Sequence, residues 1–474
     1  MYFAFIHNLG KLSIRLWDES RMANNAIEMY EHGDFIIKHF DGKPDNWSSK
    51  PPFTVWMQTL SFHLFGINEF TFRLPSALAG ILTSLILLFF SFKIIKNELH
   101  GILSLMVLIS IVGYVGYHVT RTGDNDAILT LWTTLGALSF FSFTENKNKK
   151  YLYLGFISFA LGVLTKSVAA LFLTPGILIY ILISKKIKVF FLNKHFYIGI
   201  IVFLIISLGY YLLRDSLSPG YINHVLENEI FRFHTVKVRH SGPFLFYINR
   251  LNEQIPYWFW ATLLIPFVYI SKKLNPVAKR FTTFSIIIVL TYLLVISTSQ
   301  TKLPWYIAQV FPIWASLIAI IVTSLIKFKK SLIIKGIILS IFITIFYLNY
   351  SLILRNNNHT NWEMVMVQFG YLNDHFNLNE YTAVSEKYSA PVVFYVKKDI
   401  LNGKKARYIR VHKNGNTTTI WPKNKKGKLE IGDTLVFCSK NSEKFFLRMH
   451  NTESINKYRR IEIHTYKGLK ENNK

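Results

Sequence analysis

Cysteine is almost absent from this 474-residue chain: Cys438 stands alone, which excludes an intramolecular disulfide and any thiolate-rich metal site. Acidic residues are also scarce, 27 against 54 Lys and Arg, giving a formal net charge of +27. That excess does not point to nucleic acid, because the basic residues fall in short clusters between apolar runs and in the C-terminal tail, as the positive-inside rule requires. No glycine-rich phosphate-cradling loop is evident, and no internal repeat is long enough for a solenoid or for the paired halves of a transporter. What the chain has instead is apolar length. Half of it is hydrophobic, 16% is aromatic and the mean hydropathy is +0.27, the composition of a polytopic membrane protein.

Runs of about 20 residues, enough to span a bilayer as helix, fall near 72–92, 99–118, 127–143, 151–165, 168–184, 196–213, 256–270, 281–299, 305–326 and 331–353. The stretch 2–16 is shorter and lacks the small-residue cleavage site of a signal peptide. It reads as a first transmembrane helix that starts late, so that a turn or two of it would precede Met1. The expectation is about 11 transmembrane helices. Alternate connections carry the lysine clusters: Lys93 and Lys96; Lys147, Lys149 and Lys150; Lys185 to Lys194; Lys272 to Arg280; Lys327 to Lys330. These face the cytoplasm, and the connections holding Asp18 to Pro52, Thr120 to Asp126, Lys166, Arg214 to Gln254 and Thr298 to Pro304 face outside. The chain divides into a membrane domain, 1–354, and a polar, basic C-terminal extracytoplasmic domain, 355–474. This tail reads as small and α/β, with strands expected at Val392 to Val396 and Thr434 to Phe437 between Asn-Gly and Gly-Asp turns. Its run Lys423 to Lys428 reads as a solvated loop, with contact to anionic lipid headgroups the alternative.

The outer connections concentrate the chemistry. Trp17-Asp18-Glu19-Ser20-Arg21 ends the first apolar stretch, and the spacing of Ala23, Ala26, Ile27 and Tyr30 predicts a helix within 19–31, lying at the interface with its apolar face among headgroups. Asn46 to Lys50 then leads into Pro51-Pro52, and Arg73 and Pro75 open the next span. A second acidic cluster runs from Arg121 to Asp126; Thr301-Lys302-Leu303-Pro304-Trp305-Tyr306 and Arg232 with His240 add two more loops on the same side. Each has a plainer reading. Asp18 suits a helix start, Asp126 an N-cap, Lys302 a snorkelling interfacial lysine and His240 an ordinary loop histidine.

Taken in order, Trp17-Asp18-Glu19-x-Arg21, Gly33-Asp34 through Gly42-Lys43-Pro44 to Lys50-Pro51-Pro52, Phe65-Gly66 to Arg73-Leu74-Pro75-Ser76, Leu164-Thr165-Lys166 and Lys302-Leu303-Pro304-x-Tyr306 resemble the bacterial C-type glycosyltransferases. Within these the chain is similar to the lipid A aminoarabinose transferases and the protein O-mannosyltransferase superfamily, over roughly residues 12–320. The resemblance implies the C-type glycosyltransferase fold in a bacterial cytoplasmic membrane. It also implies transfer of a sugar, with inversion, from a polyprenyl (undecaprenyl) phosphate donor to lipid A, another glycolipid or a protein on the periplasmic or exterior face. Asp18 matches the family's proposed catalytic aspartate, a general base on an acceptor hydroxyl, and Asp126 is the second catalytic candidate. A departing lipid phosphate needs cations more than a proton, which assigns Arg21, Lys50, Arg73, Arg232, Lys302 and Tyr306 to substrate and phosphate binding. Ser49 is a departure: aminoarabinose transferases carry Glu there, thought to hold a metal together with a loop histidine. Serine is a poor zinc ligand, so Glu19 and His240 remain as candidates for a divalent metal, no cofactor being otherwise called for. The alternative from another class is a transporter or flippase of lipid-linked sugars, which should place its ionisable residues near the bilayer midplane.

The charge topology gives a direct expectation: a reporter fused after Lys330 behaves as cytoplasmic and one fused after Asn356 as exported. The reverse pattern in a dual-reporter assay would overturn the assignment.

Overall fold

The computed structural model describes residues 1–230, 240–270, 274–328, 331–356, 378–422, 429–458 and 461–470. Arg232 and the basic run 423–428 lie outside the described residues. Among the described residues seven helical stretches are long and apolar enough to cross a membrane: Glu69–Ile95, Asp126–Asn146, Lys149–Ile183, Lys194–Leu217, Pro276–Thr298, Pro304–Phe328 and Leu332–Arg355. Two shorter apolar ones, Glu98–Ile109 and Trp258–Ile270, accompany them. The chain is a multi-pass membrane protein.

The differences from the eleven expected spans have local causes. Residues 2–16 do not form a spanning helix: only Tyr2–Ile6 is helical, with π geometry, and turns follow. Glu98–Ile109 stops early, where Ser110 turns its hydroxyl back onto the Val107 carbonyl and the chain folds into a loop up to Asn125. Lys149–Ile183 holds two of the expected spans. Its helix ends at Lys166, Ser167 takes φ +53°, and Ser167–Leu173 continues as 3₁₀ helix before Thr174–Ile183.

Cross-links sort the helix ends into two groups. Arg280 pairs with Glu145 at 2.5 Å and Asn275 reaches the Ile95 carbonyl, joining three connections of one group. At the other end Gln58 donates to the Gly123 carbonyl, Lys166 binds Asp126, and Tyr221 donates to the Ser49 carbonyl. Both groupings follow the alternation of lysine clusters in the sequence.

The helix in the first loop, Asp18–His32, carries the expected period but is not half-immersed in headgroups. Almost every residue from Glu19 to Met29 is buried. Its apolar side, Met22, Ala23, Ala26 and Ile27, shares a core with Val55 and Phe62 of helix Phe53–Phe65 and with Val392, Val393 and Val396 of the C-terminal region. A strand was expected at 392–396; the segment is instead the helix Ala390–Leu401, with Pro391 in its first turn. β-branched residues favour strands, yet tertiary burial overrides that weak preference, since Pro391 to Lys397 are all buried.

After the short antiparallel pair β1 (His39–Phe40) and β2 (Lys43–Pro44), the remaining strands form one mixed sheet: β3 (Glu380–Ser385), β4 (Lys405–Val411), β5 (Thr417–Trp421), β6 (Thr434–Phe437), β7 (His450–Tyr458) and β8 (Ile461–Leu469). Its order is β5-β4-β3-β6-β8-β7, with β3 parallel to β4 and β6 and the other pairs antiparallel. β6 lies where the sequence placed a strand.

Charge joins the sheet domain to the first loop. Glu28, fully buried, accepts from Lys397 and from the backbone N–H groups of Asp41 and Gly42, while Tyr395 donates to Glu69 and Asn24 to the Ala390 carbonyl. Removing one partner of such a buried pair strands the other charge, at a cost of about 3–5 kcal/mol. Lys397→Met should therefore lower the melting temperature of the purified protein markedly. The double variant with Glu28→Gln should melt above the sum of the two single losses; strict additivity would deny the pair its coupling.

Candidate active site

The site forms where the first loop, the loop before Asp126, the break at Lys166 and the 3₁₀ segment Pro304–Val310 meet. Trp17, with φ 70° and ψ −119°, turns the chain sharply into helix Asp18–His32, a conformation unusual outside glycine. The turn sends Glu19 inward. There it takes two hydrogen bonds from Arg73, at 2.7 and 3.0 Å, and one each from the backbone N–H groups of Arg15 and Gly123. Arg73 spends its other donors on the carbonyls of Leu9, Leu12 and Ser13. Gly123 must be glycine, because a Cβ there would lie 2.1 Å from the Phe72 ring. Arg21 is likewise committed: it grips Asp45 with Nε and Nη2 at 3.0 and 2.5 Å, and its guanidinium lies between the rings of Phe40 and Trp47.

Asp126, at the start of its helix, does not cap it. Both its oxygens hold the Lys166 ammonium, at 2.6 and 2.7 Å, and that ammonium lies 5.0 Å from the centre of the Tyr306 ring. Lys50, Glu229, Tyr292 and Gln309 line the same cavity. Burial alone would depress the Lys50 pKa, but the surrounding charges, Glu229 foremost and then Asp18, hold it above its ordinary value. Lys302 turns away, its ammonium 2.5 Å from the Ser299 carbonyl. His240 is exposed, its carbonyl accepting the Lys302 N–H.

Two charged side chains at this locus are uncommitted. Among the described residues neither the Asp18 carboxylate nor the Lys50 ammonium makes a hydrogen bond or an ion pair, whereas Glu19, Asp45, Asp124, Asp126, Arg21, Arg73 and Lys166 all do. The sequence-level choice of Asp18 and Lys50 thus meets a geometry that leaves both available. Arg21, Arg73 and Lys302 were expected to bind phosphate; Arg21 holds Asp45 with two donors, Arg73 holds Glu19 and three carbonyls, and the Lys302 ammonium donates to the Ser299 carbonyl. Lys166 stood in the Leu164-Thr165-Lys166 motif without being chosen as a site residue; a lysine inside an apolar run was the signal. Glu229 had none, since a loop carboxylate shows its neighbour only in three dimensions.

The expected metal pair does not come together. All four of Glu19's hydrogen bonds come from protein donors and His240 is exposed, so these two residues do not fit a metal. A different group, Asp18, His118 and Asp124, presents ligand atoms within 4.8 Å of one another, as do Glu443, Glu462 and His464 in the sheet domain. His118 lies stacked on Trp305, with 3.6 Å between ring centres, and pairs with Asp124 at 3.3 Å; Thr122 donates to the same carboxylate at 2.6 Å. A cation at this place would have to displace the imidazolium. Burial opposes the charge on both partners, yet the pairing wins: the Asp124 pKa falls to about 2 and that of His118 rises above 6.5.

With that geometry in view, residues 49–211 match the family model described as dolichyl-phosphate-mannose-protein mannosyltransferase. An uncharacterized protein of Aquifex aeolicus is 25% identical over 318 residues, 66% of this chain and 61% of its own. The undecaprenyl phosphate-alpha-4-amino-4-deoxy-L-arabinose arabinosyl transferase of Serratia proteamaculans is 24% identical over 315 residues, 65% of this chain and 55% of its own. The alignments with these two relatives therefore span less than two thirds of their length. Among solved structures, ArnT from Cupriavidus metallidurans bound to undecaprenyl phosphate superposes with a TM-score of 0.71 at 13% identity, covering 98% of this chain and 96% of that one. The likeness in structure establishes the fold. Family model, relatives and fold together support the C-type glycosyltransferase superfamily.

The His118–Asp124 pair gives a pH expectation with a definite sign. Because the folded-state pKa of His118 is raised and that of Asp124 lowered, the pair's stabilisation is complete between the free carboxylate value of 3.8 and the free imidazole value of 6.5, and is lost as pH rises through the raised His118 value or falls through about 2. Asp124→Asn should move the His118 titration, followed by ¹⁵N NMR of labelled histidines, to lower pH; an unmoved midpoint would remove Asp124 as the cause.

Proposed function

We propose that the chain is an integral membrane glycosyltransferase that moves a glycosyl group from a polyprenyl-phosphate donor to an acceptor outside the cytoplasmic membrane, such as lipid A, another glycolipid or a protein. The observation that carries this reading is the uncommitted pair: a carboxylate, Asp18, and an ammonium, Lys50, at one locus where the neighbouring charges are tied up. Transfer to a hydroxyl breaks the bond between the anomeric carbon and the phosphate oxygen, and the oxygen keeps the electron pair. The acceptor oxygen bonds the anomeric carbon from the opposite face, with inversion, and its proton passes to Asp18. Lys50 supplies the charge that meets the developing phosphate monoester, in a cavity where burial strengthens that interaction. Lys166 and Asp126, neutralising each other, shape the wall and orient Tyr306.

Localisation in the bacterial inner membrane with this site on the periplasmic side belongs to the same proposal, as does the division into a membrane domain, 1–354, and a C-terminal domain, 355–474. The alignment of lysine-rich connections at the opposite end supports the orientation. The transporter alternative gains nothing from the named relative, which is a transferase, and the buried Lys166 it would rely on is locked to Asp126.

Purified protein given undecaprenyl-phosphate-linked sugar and acceptor lipids should release undecaprenyl phosphate. Asp18→Asn should cut turnover by about 10²–10⁴-fold, the range of a lost general base, while binding of undecaprenyl phosphate persists. Wild-type turnover in that variant would remove Asp18 as base, and lipid movement without sugar release would support transport.

A further inference from the structure

Four ionisable side chains of opposite sign, Lys50, Lys166, Asp126 and Glu229, line one cavity. Lys166 is cancelled by both oxygens of Asp126. Glu229 is anchored to the neighbour of Lys50: the buried Ser49 donates its hydroxyl to Glu229 Oε1 at 2.7 Å, and the carbonyl of Ser49 is itself fixed by Tyr221 OH at 2.7 Å. A carboxylate from the helical segment Leu226–Ile230 is thus held against the residue next to Lys50, and of the charges acting on Lys50 that of Glu229 is the strongest. Nothing in the proposed chemistry uses this carboxylate, and an anion beside Lys50, the cation left uncommitted among the described residues of the site, opposes phosphate binding.

The opposition is unequal between the two states of the lipid phosphate. Donor is a phosphodiester of charge −1; the product is a monoester approaching −2 at neutral pH. Coulomb energy scales with the ligand's charge. Among the described residues lining the cavity the charged side chains sum to zero with Glu229 ionised and to +1 without it, and taking away one negative charge favours the dianion more than the monoanion. Resting on the transferase reading above, we infer that Glu229 is a specificity-determining residue: a fixed carboxylate, held by Ser49, that keeps the cavity selective for the singly charged diester and speeds release of the doubly charged monoester.

Two lipids test this on the full-length protein in detergent: undecaprenyl phosphate and its methyl ester, a diester. Glu229→Gln should tighten the monoester by about tenfold and the diester by about threefold, the logarithms following the charges. Under turnover the same variant should show stronger inhibition by undecaprenyl phosphate and a lower kcat with KM not raised. Ser49→Ala, which frees the carboxylate without removing it, should move both affinities the same way by less, and Lys50→Ala should weaken both. If the wild type binds neither lipid, the transferase reading fails and the role of Glu229 falls with it. If the wild type binds and Glu229→Gln tightens both lipids equally, leaves them unchanged or weakens them, Glu229 does not discriminate by charge while the transferase reading stands. Unchanged melting temperatures for the variants exclude misfolding as the source of either result.

Discussion

The Glu19–Arg73 pair decides where the reactive groups of this protein stand. Both side chains are 1% exposed, and every hydrogen bond they make goes to protein. Taking two charges out of water costs several kcal/mol each, and such a pair repays that only when its remaining donors and acceptors are satisfied. Here they are satisfied by three carbonyls of the N-terminal segment and two N–H groups from separate loops. One ion pair thereby ties the start of helix Asp18–His32 to helix Glu69–Phe90 and to the loop that carries Asp124 and Asp126. With Glu19 pinned inward and Trp17 turned through a positive φ, Asp18 stands apart from that pair, its carboxylate within 4.8 Å of the ligand atoms of His118 and Asp124. The same constraint that buries one carboxylate frees its neighbour.

That division between spent and unspent charge runs through the whole site. Arg21 is closed by Asp45 and two aromatic rings, Lys166 by Asp126, and His118 by Asp124. Closed pairs give shape without net field, so the field that a phosphate would meet is set by the few groups left open. Under the proposed function such a site can bury many charged side chains around one cavity and still keep its chemistry to one base and one cation, since preorganised groups cost no rearrangement as charge develops.

What could be read in advance, and what could not, follows from the range of each interaction. The helix Asp18–His32 was legible because its period is local, and so was β6, because alternation with flanking turns is local too. The alternation of lysine clusters placed the correct connections together at each end. Asp18 and Lys50 could be singled out as candidates because aromatic, acidic and Pro-Pro signals surround them within a few positions. Roles resting on distant partners were hidden. Arg73 and Glu19 are 54 residues apart and Lys166 and Asp126 are 40 apart, so the sequence displays separate charged residues where the fold makes two salt bridges. The partner of Lys302 was hidden for a different reason: the Ser299 carbonyl belongs to the backbone, whose geometry no side-chain pattern announces. The helix at 390–401 was missed because its burial, which overrides the β-branched bias, depends on packing against helix Asp18–His32, more than 360 positions earlier.

The sheet domain reaches the Lys50 site through the same first loop. Lys397 meets Glu28; Glu28 holds the N–H groups of Asp41 and Gly42 in the β1–β2 turn; Asp45, next after β2, binds Arg21, Asn25 and the Ser48 N–H. Lys38 closes the path, donating to Ser48 Oγ and to the Lys50 carbonyl, both at 2.6 Å. Burial pushes the pKa of this lysine down to about 7, so at neutral pH much of it is the uncharged amine. A neutral amine still donates both hydrogen bonds. Lys38 therefore fixes the backbone beneath Lys50 while adding only part of a positive charge nearby, and the cation presented to the cavity remains chiefly that of Lys50. Loosening any link between Lys397 and Lys38 would shift the Lys50 backbone before it touched the charge, which makes the sheet domain a support for the position of the cation rather than a source of its electrostatics.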